Sequence, residues 1–143
     1  MLSKAIMVAS QAFEHKYDKS EEPYILHCLE VMNRTQSTDV NVKIAAVLHD
    51  ILEDTSMTAT GLEMLGFSSR SIELIKILTH DSNISYEEYI EDVALDREAS
   101  LIKLADLEHN SNILRMKGVT DKDLKRIAKY HKAHHRLQQV IGI

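Results

Sequence analysis

Residues 45–55, AAVLHDILEDT, constrain this chain more than any other stretch. Ala45, Ala46, Val47, Leu48, Ile51 and Leu52 are the residues of a buried helix, yet His49, Asp50, Glu53 and Asp54 stand among them. At 3.6 residues per turn, Glu53 and Asp54 lie one turn beyond His49 and Asp50, so one side of the predicted helix carries all four polar groups. Carboxylates on such an apolar surface are unfavourable unless a cation or hydrogen-bond donors meet them. A fold that accepts this segment must bring a partner to it, and a bound metal ion is the simplest one.

Two further residues complete a ligand set. His27, in EPYILHCLEV, and Asp106, in IKLADLEHN, fall on two other predicted helices, each flanked by apolar side chains as a core-facing ligand should be. Together with His49 and Asp50 they offer two imidazoles and two carboxylates. Such a mixed nitrogen and oxygen set suits manganese, iron, cobalt or zinc better than calcium, which prefers oxygen alone. Because the four ligands come from three helices, metal binding is expected to be linked to folding.

The rest of the chain reads as all-α, a compact single-domain helical bundle over residues 1–143. Four Gly and one Pro in 143 residues leave few breaks, and the apolar spacings are helical. Leu2, Ile6, Ala9 and Phe13 predict a helix over residues 2–15. Pro23 stands in the first turn of the next, which runs to Arg34. A helix over residues 41–53 carries the His49–Asp50 pair. Thr58 or Thr60, the latter with Glu63, starts a short helix closed by Gly66. Helices follow over residues 69–79 and, from a Ser85/Glu88 capping box, to Leu95. Residues 99–116 hold Asp106, and Thr120 caps a last helix over residues 121–139, apolar at Leu124, Ile127 and Ala128, that folds back over the core. His131, His134 and His135 on it have helical spacing but no neighbouring cysteine or buried carboxylate, and are read as solvated.

A net charge of -5 argues against loose nucleic-acid binding, which depends on clustered Lys and Arg. No run approaches the roughly 20 apolar residues of a membrane span, and the N-terminus lacks a signal-peptide core. The single Cys28 fits a reducing compartment, so the expected location is cytoplasmic, with no membrane partner.

His27, His49-Asp50 and Asp106 resemble the H...HD...D signature of the HD superfamily of metal-dependent phosphohydrolases. EPYILH, HDILEDT and IKLADLEHN are similar, in order and approximate spacing, to three motifs of the RelA/SpoT-type hydrolase domain, whose small stand-alone members are the small alarmone hydrolases. The likeness runs from about Ala5 to Leu114. It implies the HD-domain fold and a metal, manganese, held by His27, His49, Asp50 and Asp106, while a length of 143 residues leads to the expectation of no synthetase domain. It assigns Glu53 and Asp54 to catalysis at the water. The implied reaction is removal of the 3′-pyrophosphate from a guanosine alarmone such as ppGpp. Lys16, Lys19, Ser20 and Lys103 are placed to meet its phosphates, Asn110 its nucleoside, and Tyr24 lies one turn before His27. Partners are then a small phosphorylated nucleotide and, for assembly, other copies of the chain as a homo-oligomer. The departures fall in the substrate pocket. Asp18 stands where the long enzymes stack an Arg on guanine, Glu21 where they have Gly, Leu107-Glu108 for Arg-Leu, and Ile113 for Thr, so guanine preference is expected to weaken. Two other readings are the same chemistry on another phosphorylated nucleotide, and a metal-binding regulatory module without turnover. Glu53 and Asp54 weigh against the second, since a binder does not require them.

Overall fold

Regular structure in the computed structural model, which describes residues 1–142, is helical. In chain order the helices are α1 (Leu2–Ala12), α2 (Tyr24–Arg34), α3 (Val40–Val47), α4 (Ile51–Asp54), α5 (Ala59–Met64), α6 (Ser69–Ile77), α7 (Tyr86–Ala94), α8 (Arg97–Asn110) and α9 (Asp121–Ile141), with a 3₁₀ turn at Ile113–Arg115. Among the described residues the only β pairing is a bridge between Tyr17 and Pro23. Ile143, the last residue of the domain expected from the sequence, lies outside the described residues. No described helix is long and apolar enough to cross a membrane.

Most helix starts are set by short polar side chains that take an otherwise orphaned amide. Asp39, Thr58, Ser68, Ser85 and Asp96 each accept from a backbone N–H two or three residues on. Thr58, not Thr60, is the cap of α5. Ser85 takes the Glu88 amide at 3.0 Å, one half of the expected box. The reciprocal box belongs to α9, where Thr120 and Asp123 each accept the other's amide.

α8 is the central element, packed against α2, α3, α6, α7 and α9. Its Ile102, Leu104, Ala105 and Leu107 join Val42, Ile44, Ala45, Val47 and Leu48 of the α3 segment in one core. α9 folds back on α8 and α7 as expected, but its buried residues are Ala133 and Leu137, while Leu124 is exposed. The helix that holds Asp106 also ends earlier than its pattern suggests. It stops at Asn110, and Asn112 caps the 3₁₀ turn that follows.

The largest difference from the sequence reading lies in residues 40–54. The predicted single helix is two, α3 and α4, broken at Leu48–Asp50, with Leu48 at φ -102°, ψ 7° and Asp50 at φ -98°, ψ 1°. This sparsely allowed region between helix and strand is common at active sites. In a continuous helix His49 and Asp50 would diverge by about 100°. The break lets neighbours in sequence converge on one point.

Between α1 and α2 the chain makes a tight loop organised by Asp18, whose Oδ1 accepts from the backbone N–H of Ser20 at 2.8 Å and of Glu22 at 3.0 Å. Glu21 in this loop has φ 64°, the left-handed conformation that favours glycine.

Candidate metal centre and substrate groove

His27 comes from the second turn of α2, His49 and Asp50 from the α3–α4 break, and Asp106 from the middle of α8. These segments bring one ligand atom from each of the four residues to within 4.8 Å of all the others. His27, His49 and Asp106 are buried and Asp50 is half-buried. These four expected ligands therefore form one cluster.

Each imidazole is aimed by its second nitrogen. His49 Nδ1–H donates to the Ala46 carbonyl at 2.7 Å, which directs Nε2 into the cluster. There Nε2 lies 3.0 Å from Asp50 and 3.3 Å from Asp106, yet it makes no hydrogen bond. Distances this short without hydrogen-bonding angles are what groups show when they point at a shared position rather than at each other. An orphaned buried nitrogen between two carboxylates fits a divalent cation well. Burial opposes charge on the His49 ring, but Asp50 and Asp106 outweigh it and hold its pKa well above the ordinary value. The potential that favours a proton there equally favours a metal ion.

His27 Nδ1 stands 2.7 Å from Nδ1 of His109. Burial, with Arg115 and His27 nearby, depresses the His109 pKa to about 4, so this ring is neutral and can accept. His27 then donates through Nδ1 and keeps Nε2 for the cluster, where it lies 3.0 Å from Asp106 Oδ1. His109 did not emerge from the sequence reading. Its signal was its place three residues beyond Asp106, on the same face of α8.

Asp106 is the most heavily engaged residue of the cluster. Oδ1 accepts from Asn110 Nδ2 at 3.0 Å and Oδ2 from Lys103 Nζ at 2.7 Å. Burial opposes the charge, but Lys103, His49 and His27 hold the carboxyl well below its usual range. Tyr24 Oη donates to Asp50 Oδ2. Lys103, Asn110 and Tyr24, all expected on the substrate, thus also grip metal-cluster carboxylates.

Glu53 and Asp54 follow on α4 and sit at the mouth of the cluster. Glu53 Oε1 accepts the His80 backbone N–H at 2.7 Å, and Asp54 pairs with Lys16 at 2.9 Å. Burial raises the Glu53 pKa, and Asp50 and Asp54 add to the rise against the His80 amide. His80, in the loop after α6, is a positioning group that the sequence reading missed.

Two cavities meet here. One of about 310 Å³ lies over the cluster, lined by Asp50, Glu53, Asp54, Lys103 and Asp106 on one side. The other, about 360 Å³, is lined by Lys16, Lys19, Ser20, Arg115 and Arg126 among others. Tyr24, Asn110 and Tyr130 border both, so the two form one groove. Lys19 and Ser20 lie in the second cavity, away from the metal cluster. Asp18 does not leave that cavity without a guanidinium, because Arg115 reaches across from the 3₁₀ turn to pair with Asp18 Oδ2 at 2.6 Å and donates to the His109 carbonyl at 2.8 Å. Neither Asp18 oxygen is free. On α9, His134 pairs with Glu108 at 3.0 Å, and His131 and His135 are exposed.

No protein-family model matches the sequence. A Drosophila melanogaster protein, guanosine-3′,5′-bis(diphosphate) 3′-pyrophosphohydrolase MESH1, is 33% identical over 122 residues, which cover 76% of this chain and 68% of that protein. The chain belongs to the MESH1 family. Further relatives of the family are longer. The bifunctional (p)ppGpp synthase/hydrolase SpoT of Escherichia coli is 32% identical over 126 residues, 79% of this chain but 18% of SpoT, so the chain spans about a fifth of such bacterial relatives. The MESH1-family fold is borne out by a solved structure described as "A metazoan ortholog of SpoT hydrolyzes ppGpp and plays a role in starvation responses". It superposes with a TM-score of 0.81 at 25% identity, over 99% of this chain and 91% of that one. The all-α HD-type architecture implied by the three motifs is therefore the observed one.

Proposed function

We propose that the chain is a metal-dependent phosphohydrolase that removes the 3′-pyrophosphate of a guanosine alarmone such as ppGpp, with manganese at His27, His49, Asp50 and Asp106. The observation that carries this reading is the convergence of those four ligand atoms within 4.8 Å beneath a groove, with Glu53 and Asp54 at its mouth. A divalent ion bound there supplies Lewis acidity, polarising a phosphoryl oxygen and making nearby water easier to deprotonate. Lys16 fixes the Asp54 carboxylate and the His80 amide fixes Glu53. Glu53, with its raised pKa, takes the proton of the attacking water. The water oxygen bonds to the phosphorus carried on the ribose 3′ oxygen, the bond between that phosphorus and the 3′ oxygen breaks, and the ribose oxygen leaves with a proton. The products are guanosine 5′-diphosphate and pyrophosphate. Lys103 and Asn110 steady Asp106 while facing the phosphates, and Tyr24 does the same for Asp50. Lys19 and Ser20 meet the nucleotide in the second cavity.

Base choice is decided in that second cavity. With both Asp18 oxygens engaged, no carboxylate is free there to read the hydrogen-bond donors of guanine, while Arg115 offers charge and a flat face to any base. The adenosine analogue should therefore be cut within about tenfold of ppGpp, a difference of only about 1.4 kcal/mol. Manganese-loaded protein incubated with each nucleotide in turn, products separated by ion exchange, tests both statements. Cleavage of some other phosphorylated nucleotide with neither 3′-pyrophosphorylated one touched would refute the alarmone assignment.

A further inference from the structure

The cavity over the metal cluster has two unlike walls. On the first, each carboxylate has a partner: Asp50 takes Tyr24, Glu53 the His80 amide, Asp54 Lys16 and Asp106 Lys103. The second wall is built by α7 and α9, which supply Tyr86, Lys129 and Tyr130. Here two polar groups are left over. The Tyr86 hydroxyl is buried and has no hydrogen-bond partner among the described residues. Lys129 forms no ion pair among them, and its Nζ lies 4.5 Å from the centre of the Tyr86 ring and 5.5 Å from that of Tyr130. Held over two aromatic faces, that ammonium is kept at the cavity edge rather than spread through solvent.

Buried hydroxyls nearly always find a partner, and one without is a group waiting for a ligand or a water. Burial raises the Tyr86 pKa to about 12, Asp106 adding to the rise and Lys103 opposing it. The phenol therefore keeps its proton and can only gain by donating it to an acceptor. Its partner must be an acceptor that enters the cavity, since among the described residues no lining group accepts from it. A phosphoryl group held at the cluster has the acidic wall on one side and needs donors on the other.

We propose that Tyr86 Oη and Lys129 Nζ form an anion subsite that takes the distal phosphate of the 3′-pyrophosphoryl group. Holding that phosphate against α7 and α9 turns the phosphorus next to the ribose toward Glu53. The subsite rests on the phosphohydrolase reading above, and extends it to two residues that lie outside the three sequence motifs.

The test uses the full chain loaded with manganese, in wild-type form and as Tyr86→Phe and Lys129→Gln. Phenylalanine keeps the ring that packs against His80, Tyr89 and Tyr130, and it removes an unpaired donor, so Tm should be unchanged or higher. The affinity for inorganic pyrophosphate, measured by calorimetry, should fall about tenfold in each variant, the scale of a lost hydrogen bond to a charged group. KM for ppGpp should rise by a similar factor. Pyrophosphate binding is read without turnover, so weakened binding in both variants upholds the subsite even if ppGpp is not cleaved. Wild-type pyrophosphate affinity in both variants, or no pyrophosphate binding to the wild-type protein, overturns it.

Discussion

Replacing Asp106 with alanine should strip the protein of metal, reduce hydrolysis to background and lower its stability by about 3–5 kcal/mol, the scale for removing one member of a buried charged group. Asp106 is where the centre and the core meet. Its two oxygens hold His27, Asn110 and Lys103 at 3.0, 3.0 and 2.7 Å. Alanine leaves the buried Lys103 ammonium without its carboxylate and releases two side chains that α2 and α8 keep in register. For a domain of this size the loss corresponds to a fall in Tm of roughly 10–17 °C. Asp106→Asn separates the two roles, since the amide oxygen can still accept from Asn110 Nδ2. It should be milder in Tm and equally severe in metal content and turnover. Metal analysis with a thermal melt checks this, and an alanine variant that retained stoichiometric metal would remove Asp106 from the ligand set.

Glu53→Gln should do the opposite, keeping metal and fold while kcat falls about 100-fold or more, as expected for loss of a proton-transfer group. The glutamine oxygen can still accept the His80 amide that the carboxylate accepts at 2.7 Å, so the α4 segment keeps its anchor. What disappears is the basic oxygen, whose pKa burial raises, with Asp50 and Asp54 behind it. Steady-state kinetics on protein of verified metal content reads the effect. Turnover at the wild-type rate would return Glu53 to a purely structural role at the end of α4.

Much of this was legible in the sequence because helices announce themselves locally. Ser85 and Thr120 are caps whose side chains act within three residues, and the four ligands lie in segments with unmistakable apolar flanks. The break at Leu48–Asp50 was not legible, since residues 40–54 contain no Gly or Pro to mark it. At the break the His49 ring turns back to the Ala46 carbonyl, a contact that spacing alone does not reveal. His109, His80, Tyr86 and Lys129 were missed for a related reason. Each acquires its place only when distant helices pack, as when α9 lays Lys129 over the ring of Tyr86 on α7. Asp18 shows the limit of matching single positions. Read as a lost cation, it is the loop's organiser and the anchor of Arg115, 97 residues away.

One ion at His27, His49, Asp50 and Asp106 should suffice to make this chain a 3′-pyrophosphohydrolase. The most direct test is to strip the protein with a chelator, add manganese in fractions of an equivalent, and follow pyrophosphate released from ppGpp at each step. The prediction is no release at the start, a linear rise, and a plateau at one equivalent, with guanosine 5′-diphosphate formed in equal amount. Full activity in the stripped protein, or release of orthophosphate in place of pyrophosphate, would contradict it.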